Sequence, residues 1–324
     1  MPTARIEEIK QYHVPKYFHG DHYVKPVYIS VFRSRVVTEV WKETEGEPQA
    51  IRRAKALARY LDTVPIFIRK GELIVGHYAE DPNVIPNCIE AMDPKIVRNY
   101  IEADFVKEDE IDEWNQLLPY WEKHGLKALL DSMLTEDEKW IASMKFRYME
   151  VLPTEYTSRT QPDHDLYMKI GLSNILKMLR KKQVELTEKR KECVGGSEAV
   201  EIAEQMNEIK AMLITIEAVI RWANRYSKLA KEMAQKEQDL ERKEELMKLS
   251  EICGHVPENP PDSFWESVQC HWFVFLAYHL IEHLCHGTSL RTDQIFWPWY
   301  EKDVLIEKTL PRERALELVE NFLL

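Results

Sequence analysis

The strongest chemical motif in this sequence is a pair of histidines with a glutamate between them. His279, Glu282 and His283 form an HxxEH pattern, in which two histidines one helical turn apart bind zinc and the glutamate activates water. That chemistry needs a third ligand, usually a glutamate well downstream, and few residues follow His283. The surrounding stretch is aromatic and aliphatic, which favours packed helix residues. A zinc hydrolase is therefore a minor alternative, and no metal site is predicted.

Cysteines are the second group of residues that could react. The five are Cys88, Cys193, Cys253, Cys270 and Cys285. An odd number of scattered cysteines without a CxxC pair is typical of free thiols in a reducing cytosol. A reactive cysteine also needs a neighbour that stabilises its thiolate, and the sequence assigns no such neighbour to any of the five. We expect buried structural thiols and predict no catalytic residue.

Composition limits the partners of the chain. Its 324 residues carry a formal net charge of -11, whereas a nucleic-acid partner requires a surplus of Lys and Arg. The N-terminus has no apolar secretion core, and the longest apolar stretch, Trp272–Cys285, is too short to span a bilayer. These features predict a cytoplasmic protein that contacts neither nucleic acid nor membrane.

The first half of the chain must supply the elements that position any site. Residues 1–46 are predicted to be an N-terminal arm, and residues 47–165 a helix, a hairpin and short helices. The helix falls on residues 50–62, where apolar residues recur at helical spacing. Two β-rich runs, Ile66–Arg69 and Glu72–Gly76, are joined by a Lys-Gly turn and predict a small hairpin.

The second half is predicted to be helical. Residues 166–256 have the pattern of a long antiparallel helical pair, divided at Gly195-Gly196. Residues 257–324 then contain a buried helix, a turn and a last helix. Asp262 or Ser263 is placed to cap the buried helix, with Glu266 as the acid of a capping box.

The last helix begins near Pro311 and continues to the final residue without a stop signal. We therefore expect a truncated helix. Truncation would leave exposed apolar surface along Leu316–Leu324 and on the Trp272–Cys285 helix. From the residues alone, the chain is a soluble, mostly α, cytoplasmic protein with one buried, histidine-rich helix.

Three ordered stretches, at residues 45–86, 161–172 and 264–304, resemble glycyl radical enzymes of the pyruvate formate-lyase type. The first contains an Arg-Arg-Ala helix, a proline and a Gly-Glu-Leu-Ile-Val-Gly segment, the second a Pro-Asp pair before Gly-Leu, and the third an Asp-Gln before Pro-Trp-Tyr. The resemblance implies a mainly α fold with a few short strands. Residues 1–324 would be an incomplete domain, the N-terminal part of a ten-stranded α/β barrel.

The branch and the chemistry also follow from the resemblance. Residues 76–83 are most similar to the benzylsuccinate and alkylsuccinate synthases, with aryl-acetate decarboxylases close behind. The parent enzyme would be an anaerobic lyase or transferase, resembling formate C-acetyltransferase, that cleaves or forms carbon-carbon bonds by radical chemistry. An activating enzyme with S-adenosylmethionine and an iron-sulfur cluster would place the radical on a C-terminal glycine, which then oxidises a cysteine. No cofactor is expected in this chain itself.

The two radical-bearing motifs of the family do not occur in the printed sequence. Neither the Arg-Val-x-Gly-Tyr motif nor the Gly-Cys-x-Glu loop is present, and Cys88-Ile89-Glu90 lies too early and follows Asn87. We therefore expect the chain to be inactive alone and to lack catalytic residues. The alternative is a non-catalytic helical scaffold or interaction protein.

The resemblance also implies a substrate-pocket segment at Pro162, Asp163 and His164. Histidine replaces the usual tyrosine at the third position, and an imidazole can hydrogen-bond a carboxylate; a loop histidine at the surface is equally compatible. Asp293 and Gln294 are expected to hold the turn before Trp297. The implied partners are a small-molecule substrate (an organic acid or hydrocarbon), the activating enzyme, and the missing C-terminal part or a second copy.

Overall fold

The computed structural model describes residues 3–13, 28–143, 162–281 and 291–323. Helices dominate this part of the chain, which confirms the prediction of a mainly α fold with a few short strands. The helices are α1 (Ala4–His13), α2 (Phe32–Glu43), α3 (Gln49–Thr63), α4 (Pro94–Glu102), α5 (Ile111–His124), α6 (Leu126–Met133), α7 (Glu136–Ser143), α8 (His164–Glu192), α9 (Ser197–Lys236), α10 (Leu240–His255), α11 (Phe264–Phe275), α12 (Thr292–Tyr300) and α13 (Arg312–Phe322). A 3₁₀ turn covers Glu108–Glu110, and π-helical turns cover Leu276–Ile281 and Glu301–Ile306.

The largest core lies where α9 packs against α3, α8 and α10. Trp222 and Tyr226 of α9 contact Phe273 of α11, with ring centroids 5.3 Å and 5.7 Å away. All three side chains are buried, and each contributes roughly 1.5–3 kcal/mol by leaving water. The helical periodicity of α3 predicts one apolar face, and this face packs into the core. It also forms a small adjacent cluster with Ala211 of α9.

A second core joins α2, α4 and α5. Trp41, Trp114 and Trp121 fill it, and the Trp121 indole donates a hydrogen bond to Thr38 Oγ1 at 2.7 Å. Beside it lie two three-residue strands, β1 (Tyr28–Ser30) and β2 (Val84–Pro86), which pair in parallel. Such short strands carry too few residues to show a period of two, so the sequence did not reveal them.

The predicted hairpin is wrong. Ile66–Arg69 and Glu72–Gly76 do not pair as strands. Side chains from distant helices take the place of a partner strand: Gln269 accepts a hydrogen bond from Val75 N at 2.8 Å and donates one to Val75 O at 2.6 Å. The β-rich composition of this segment reflects its burial between helices, not membership of a sheet.

Other side chains complete the hydrogen bonding of the same segment. Asn321 Oδ1 accepts from the amides of Leu73 and Ile74 at 2.9 Å and 3.0 Å. The indoles of Trp265 and Trp272 donate to Leu73 O and Gly76 O at 2.7 Å and 3.0 Å. Buried backbone groups must find partners, and here α11 and α13 provide them. We call residues 72–77 the clamped segment.

The long helical pair is three helices. The predicted second member ends at Lys236, and Asp239 starts α10 by accepting a hydrogen bond from Arg242 N at 3.1 Å. An Asp side chain at an N-cap accepts a hydrogen bond from a backbone amide of the first helical turn. This bond favours the start of a new helix over continuation of the preceding one. The break lets α10 turn back and bury Leu249 and Ile252 against α9.

Helix α8 is kinked at Gly171, where φ is +73°. The kink docks on the loop after α10, because Leu172 N and Ser173 N donate to Pro257 O and Glu258 O at 2.9 Å and 2.8 Å. A Cβ at Gly171 would lie 2.6 Å from the backbone of Asn259. Only glycine therefore fits this close approach.

Capping of α11 by Ser263 is confirmed, since its hydroxyl accepts from Glu266 N at 3.3 Å. The Glu266 carboxylate reaches one residue further back than predicted and accepts a hydrogen bond from Asp262 N at 2.7 Å.

The apolar exposure predicted for Leu316–Leu324 is found in part. Leu316 and Leu323 are exposed, whereas Leu318 is fully buried.

The predicted exposure of the Trp272–Cys285 helix is wrong for residues 272–278, none of which is exposed. Phe273 and Leu276 have no accessible surface, because they pack against α9 and the clamped segment. Residues 282–285 of that prediction lie outside the described ranges. Within those ranges, no helix combines the length and apolarity that crossing a bilayer requires.

Candidate functional site

An apolar cleft of ≈ 490 Å³ opens at the start of α8. Helices α3 and α9 form two of its walls, and the end of α11 with the following π-helical turn forms another. The side chains that line it are mostly aliphatic or aromatic: Ala50, Arg53, Ala54, Leu57, Pro162, Asp163, Leu166, Tyr167, Leu172, Ile175, Glu208, Ala211, Met212, Thr215, Ile216, Val219, Val274, Ala277 and Tyr278. A small organic molecule with an apolar body fits such a lining.

Two of the three residues predicted for the substrate pocket line this cleft. Pro162 and Asp163 do so, and Asp163 also caps α8 by accepting a hydrogen bond from Leu166 N at 3.0 Å. His164 is not part of the lining. Its ring instead reaches Tyr167, which is one turn further along α8 and lines the cleft.

His164, Tyr167 and His271 form a hydrogen-bonded chain of three side chains. The distance from His164 Nδ1 to Tyr167 Oη is 2.7 Å, and that from Tyr167 Oη to His271 Nδ1 is 2.9 Å. His271 belongs to α11 and is fully buried, and Tyr167 is almost so. The sequence gives the spacing of His164 and Tyr167 on one helix face, but it holds no signal that joins them to His271.

Burial determines the protonation states of the His164 and Tyr167 side chains. Burial lowers the pKa of His164, against a smaller opposing effect of the Asp163 and Asp165 carboxylates. Burial also raises the pKa of Tyr167 well above its usual value, and Cys270 acts in the same direction. Near neutral pH, His164 is therefore a neutral imidazole and Tyr167 a neutral phenol.

The cysteines behave as structural thiols where the structure describes them. Cys88, Cys253 and Cys270 are buried, and Cys193 is partly exposed. Burial raises the pKa of Cys253 and Cys270 far above the usual range, so neither supplies a thiolate. Cys285 lies outside the described residues, as do Glu282 and His283 of the HxxEH pattern and the side chain of His279.

The described residues contain one group that could hold a metal ion, His255, Asp262 and Glu266, whose ligand atoms lie within 4.8 Å of one another. Glu266 is already engaged by His255 Nδ1 at 3.2 Å and by the backbone amide of Asp262. These contacts close the loop before α11. They account for the cluster as a structural feature.

Asp293 and Gln294 do not occupy a buried turn. Both are exposed at the start of α12, and the Asp293 carboxylate pairs with Arg291 at 3.2 Å. That hydrogen bond lowers the pKa of Asp293. Both side chains were expected to hold the turn before Trp297, but they lie exposed in the first turn of the helix that contains Trp297.

The described residues form a mostly helical fold with an apolar cleft at the start of α8. A family model described as pyruvate formate lyase-like matches residues 3–324. The isethionate sulfite-lyase of Oleidesulfovibrio alaskensis is 30% identical over 316 residues, which are 90% of this chain and 36% of that protein. The chain belongs to the pyruvate formate-lyase-like family of glycyl radical enzymes.

Structural comparison agrees with this membership. A glycyl radical enzyme from Archaeoglobus fulgidus superposes with a TM-score of 0.81 at 31% identity, covering 98% of this chain and 39% of that one. The 4-hydroxyphenylacetate decarboxylase glycyl radical subunit of Clostridioides difficile is 33% identical over 144 residues, which are 43% of this chain and 16% of that protein. The chain thus spans well under half the length of these relatives, and neither branch suggested by residues 76–83 is confirmed.

Proposed function

We propose that this chain forms the N-terminal, mostly helical wall of a glycyl radical enzyme and that the cleft at the start of α8 is part of its substrate pocket. The observation that carries this proposal is the coincidence of two findings. The family match covers residues 3–324, and within it the Pro162-Asp163 segment lines an apolar cleft of ≈ 490 Å³. In this proposal residues 1–324 belong to a single, incomplete barrel domain in the cytoplasm.

The substrate we propose is a small organic acid or other molecule with an apolar body. Leu57, Ile216 and Val219 give the cleft an apolar wall, and Arg53, Asp163 and Glu208 add charged side chains. The reaction is a radical lyase reaction that breaks or forms one bond of that substrate. A cleft of this size and lining holds a substituted benzene ring more favourably than a small, fully hydrated ion.

The radical itself is proposed to come from outside these residues. Neither radical-bearing motif occurs in the sequence, so the chain alone would bind a substrate without converting it. A further stretch of polypeptide or a partner chain would supply the cysteine and the glycine, and an activating enzyme would generate the glycyl radical. The non-catalytic scaffold is the competing function, and it requires no ligand in the cleft.

Calorimetric titration with 4-hydroxyphenylacetate tests the proposal. We expect saturable binding with a Kd of about 1 mM or tighter, which corresponds to roughly −4 kcal/mol. The Met212→Trp variant places a larger ring in the cleft and should weaken binding at least tenfold. Met178→Trp is the matched control, because Met178 is exposed on α8 and does not line the cleft.

Absence of binding would favour the scaffold, and equal binding by both variants would place the ligand elsewhere. A second arm incubates the chain anaerobically with an activating enzyme of the family, S-adenosylmethionine and a reductant. We expect no glycyl radical signal in electron paramagnetic resonance. A signal would contradict the proposal that the radical comes from outside these residues.

A further inference from the structure

The distal part of α8 and the first part of α9 form a helical hairpin with a small core of its own. Leu186, Ile202 and Ile209 are buried in this core, and its other apolar members also come from α8, α9 and the turn between them. Most of the remaining side chains of residues 177–208 are exposed. The hairpin therefore presents long helical faces to its surroundings.

The two helices of this hairpin carry opposite charge. Residues 177–192 of α8 contain seven Lys or Arg and three Glu, whereas residues 197–208 of α9 contain four Glu and no Lys or Arg. The whole chain has a net charge of -11, so the basic segment of α8 departs from the overall composition. A basic helix beside an acidic one makes the hairpin electrostatically complementary to a second copy of itself.

Spacing places charged side chains of both helices on one lateral face of the hairpin. Lys182 and Lys189 are seven residues apart on α8, and Glu201 and Glu208 are seven residues apart on α9. Seven residues are about two helical turns, so each pair lies on one side of its helix. All four side chains are exposed. We call the first pair the basic row and the second pair the acidic row.

An ion pair inside the hairpin shows that the two rows adjoin. Lys189 Nζ lies 3.2 Å from Glu198 Oε1, and Glu198 is one helical turn from Glu201. Arg180 lies two positions before Lys182, on the other side of α8, and it pairs with Glu217 at 2.7 Å. The two ion pairs thus mark opposite lateral faces, and the rows share the face of Lys189.

The acidic row has no partner within the part of the chain that the structure describes. Glu201 and Glu208 make no hydrogen bond or ion pair there. In the basic row, Lys182 has only a distant contact with Glu185 of its own helix, at 3.5 Å. Both rows therefore have charge available for a partner.

We propose that this face is a self-association surface on which a second copy of the chain docks about a two-fold axis parallel to the hairpin helices. Each α8 then lies on α9 of the other copy. The antiparallel register of the hairpin places Lys189 opposite Glu201 of the second copy, and Lys182 opposite Glu208. Two-fold symmetry repeats both contacts. No ligand of the cleft takes part, so the inference does not depend on the proposed function.

The size of the face sets the expected strength of the dimer. Sixteen residues of α8 span about 24 Å, and two helices side by side are about 20 Å wide. A second copy on such a face buries roughly 1,000 Å² in total, which is near the lower limit for a specific interface. Exposed ion pairs add little free energy each. We therefore expect a reversible dimer with a Kd on the order of 10–100 μM.

Sedimentation velocity of the full chain, over concentrations that bracket this Kd, measures the association. We expect a concentration-dependent change from monomer to dimer. Raising the salt concentration from about 0.05 M to about 0.5 M should weaken the dimer, because the contacts between the rows are screened.

Charge reversal tests the surface itself. Lys182→Glu combined with Lys189→Glu places like charges against the acidic row and should weaken dimerisation by about tenfold or more. Lys177→Glu combined with Lys191→Glu is the matched control, because it changes the net charge by the same amount away from this face. The control should stay within about twofold of the wild type. Circular dichroism verifies that each variant keeps its helical content.

The reciprocal variant separates the contact from any loss of folding. Glu201→Lys combined with Glu208→Lys should also dimerise poorly alone. Mixed with the variant reversed in the basic row, it should form a mixed dimer, because every opposite-charge contact returns with its signs exchanged. A wild-type chain that stays monomeric, a dimer that tolerates reversal of the basic row, a control as impaired as that reversal, or two reversed variants that do not associate would each overturn the proposal.

Discussion

Glu245 is a buried residue whose carboxylate links three helices, α1, α10 and α13. Its carboxylate accepts hydrogen bonds from Arg5 of α1 at 2.6 Å and 2.7 Å, from Arg314 of α13 at 2.8 Å and from Arg242 of α10 at 3.1 Å. Burial raises the pKa of Glu245, but the hydrogen bonds from the arginines outweigh it, and the net pKa lies below the usual value. Ionised Glu245 is therefore stabilised by folding.

The sign of this shift gives a pH dependence of stability. A carboxyl group with a lowered pKa in the folded state stabilises the fold above its unfolded pKa of about 4.5, and this contribution disappears as pH falls through the folded value. We expect Glu245→Gln to lower the free energy of unfolding by about 3 kcal/mol at pH 7. The difference from wild type should shrink between pH 5 and pH 3, as urea unfolding at each pH will show.

Glu251→Gln is the matched control, because Glu251 lies on the same helix with an exposed side chain. It should change the free energy of unfolding by no more than about 0.5 kcal/mol at any of these pH values. A constant difference between Glu245→Gln and wild type across the pH range would contradict the account of this network.

Residue roles could be predicted where the signal is local in sequence. Ser263 was predicted as a cap because it stands three positions before Glu266. Tyr167 and His271 are 104 positions apart, and nothing in either neighbourhood encodes their contact. His164 was chosen by resemblance, and only the structure shows that its ring faces Tyr167 and not the cleft.

At the scale of elements, the clamped segment shows how helices can replace a sheet. Gln269 binds both backbone groups of Val75, and all four atoms are buried. We expect Gln269→Leu to lower the free energy of unfolding by about 2–6 kcal/mol, because two buried backbone groups lose their partner at roughly 1–3 kcal/mol each. Urea unfolding measures this loss, and hydrogen exchange of the Val75 amide locates it.

The control for this substitution is Gln205→Leu, at an exposed position of α9. It should lie within about 0.5 kcal/mol of wild type. If Gln269→Leu were equally mild, or if exchange of the Val75 amide stayed as slow as in the wild type, the clamp would contribute little to the stability of residues 72–77.

A helix or strand could be predicted where the residue pattern alone determines what the element packs against or bonds to. The face of α3 follows from its period, because an amphipathic helix needs only one buried side. The hairpin did not form because a β-rich run specifies an extended backbone but not the identity of its hydrogen-bond partners. The end of α9 at Lys236 was hidden because Asp239 lies within an unbroken run of helix-forming residues.

At the scale of the whole molecule, family membership was recoverable from the sequence and the branch was not. Three stretches spread over residues 45–304 preserve the order of the family's segments, and the match over residues 3–324 confirms them. In the proposed function, substrate preference depends on which side chains meet in the cleft, and these come from α3, α8, α9 and α11. No single stretch encodes that assembly, so a short resemblance at residues 76–83 could not settle it.

The central claim is that the cleft at the start of α8 binds a small organic substrate. Methyl resonances of a selectively labelled chain, recorded during titration with 4-hydroxyphenylacetate, test it most directly. The account predicts saturable shifts at Leu57, Leu166, Ile216 and Val219, which line the cleft, with the methyls of Leu129 unchanged. Shifts centred on Leu129, which lines a separate cleft beside Trp41 and Trp121, or no saturable shift at any methyl, would contradict it.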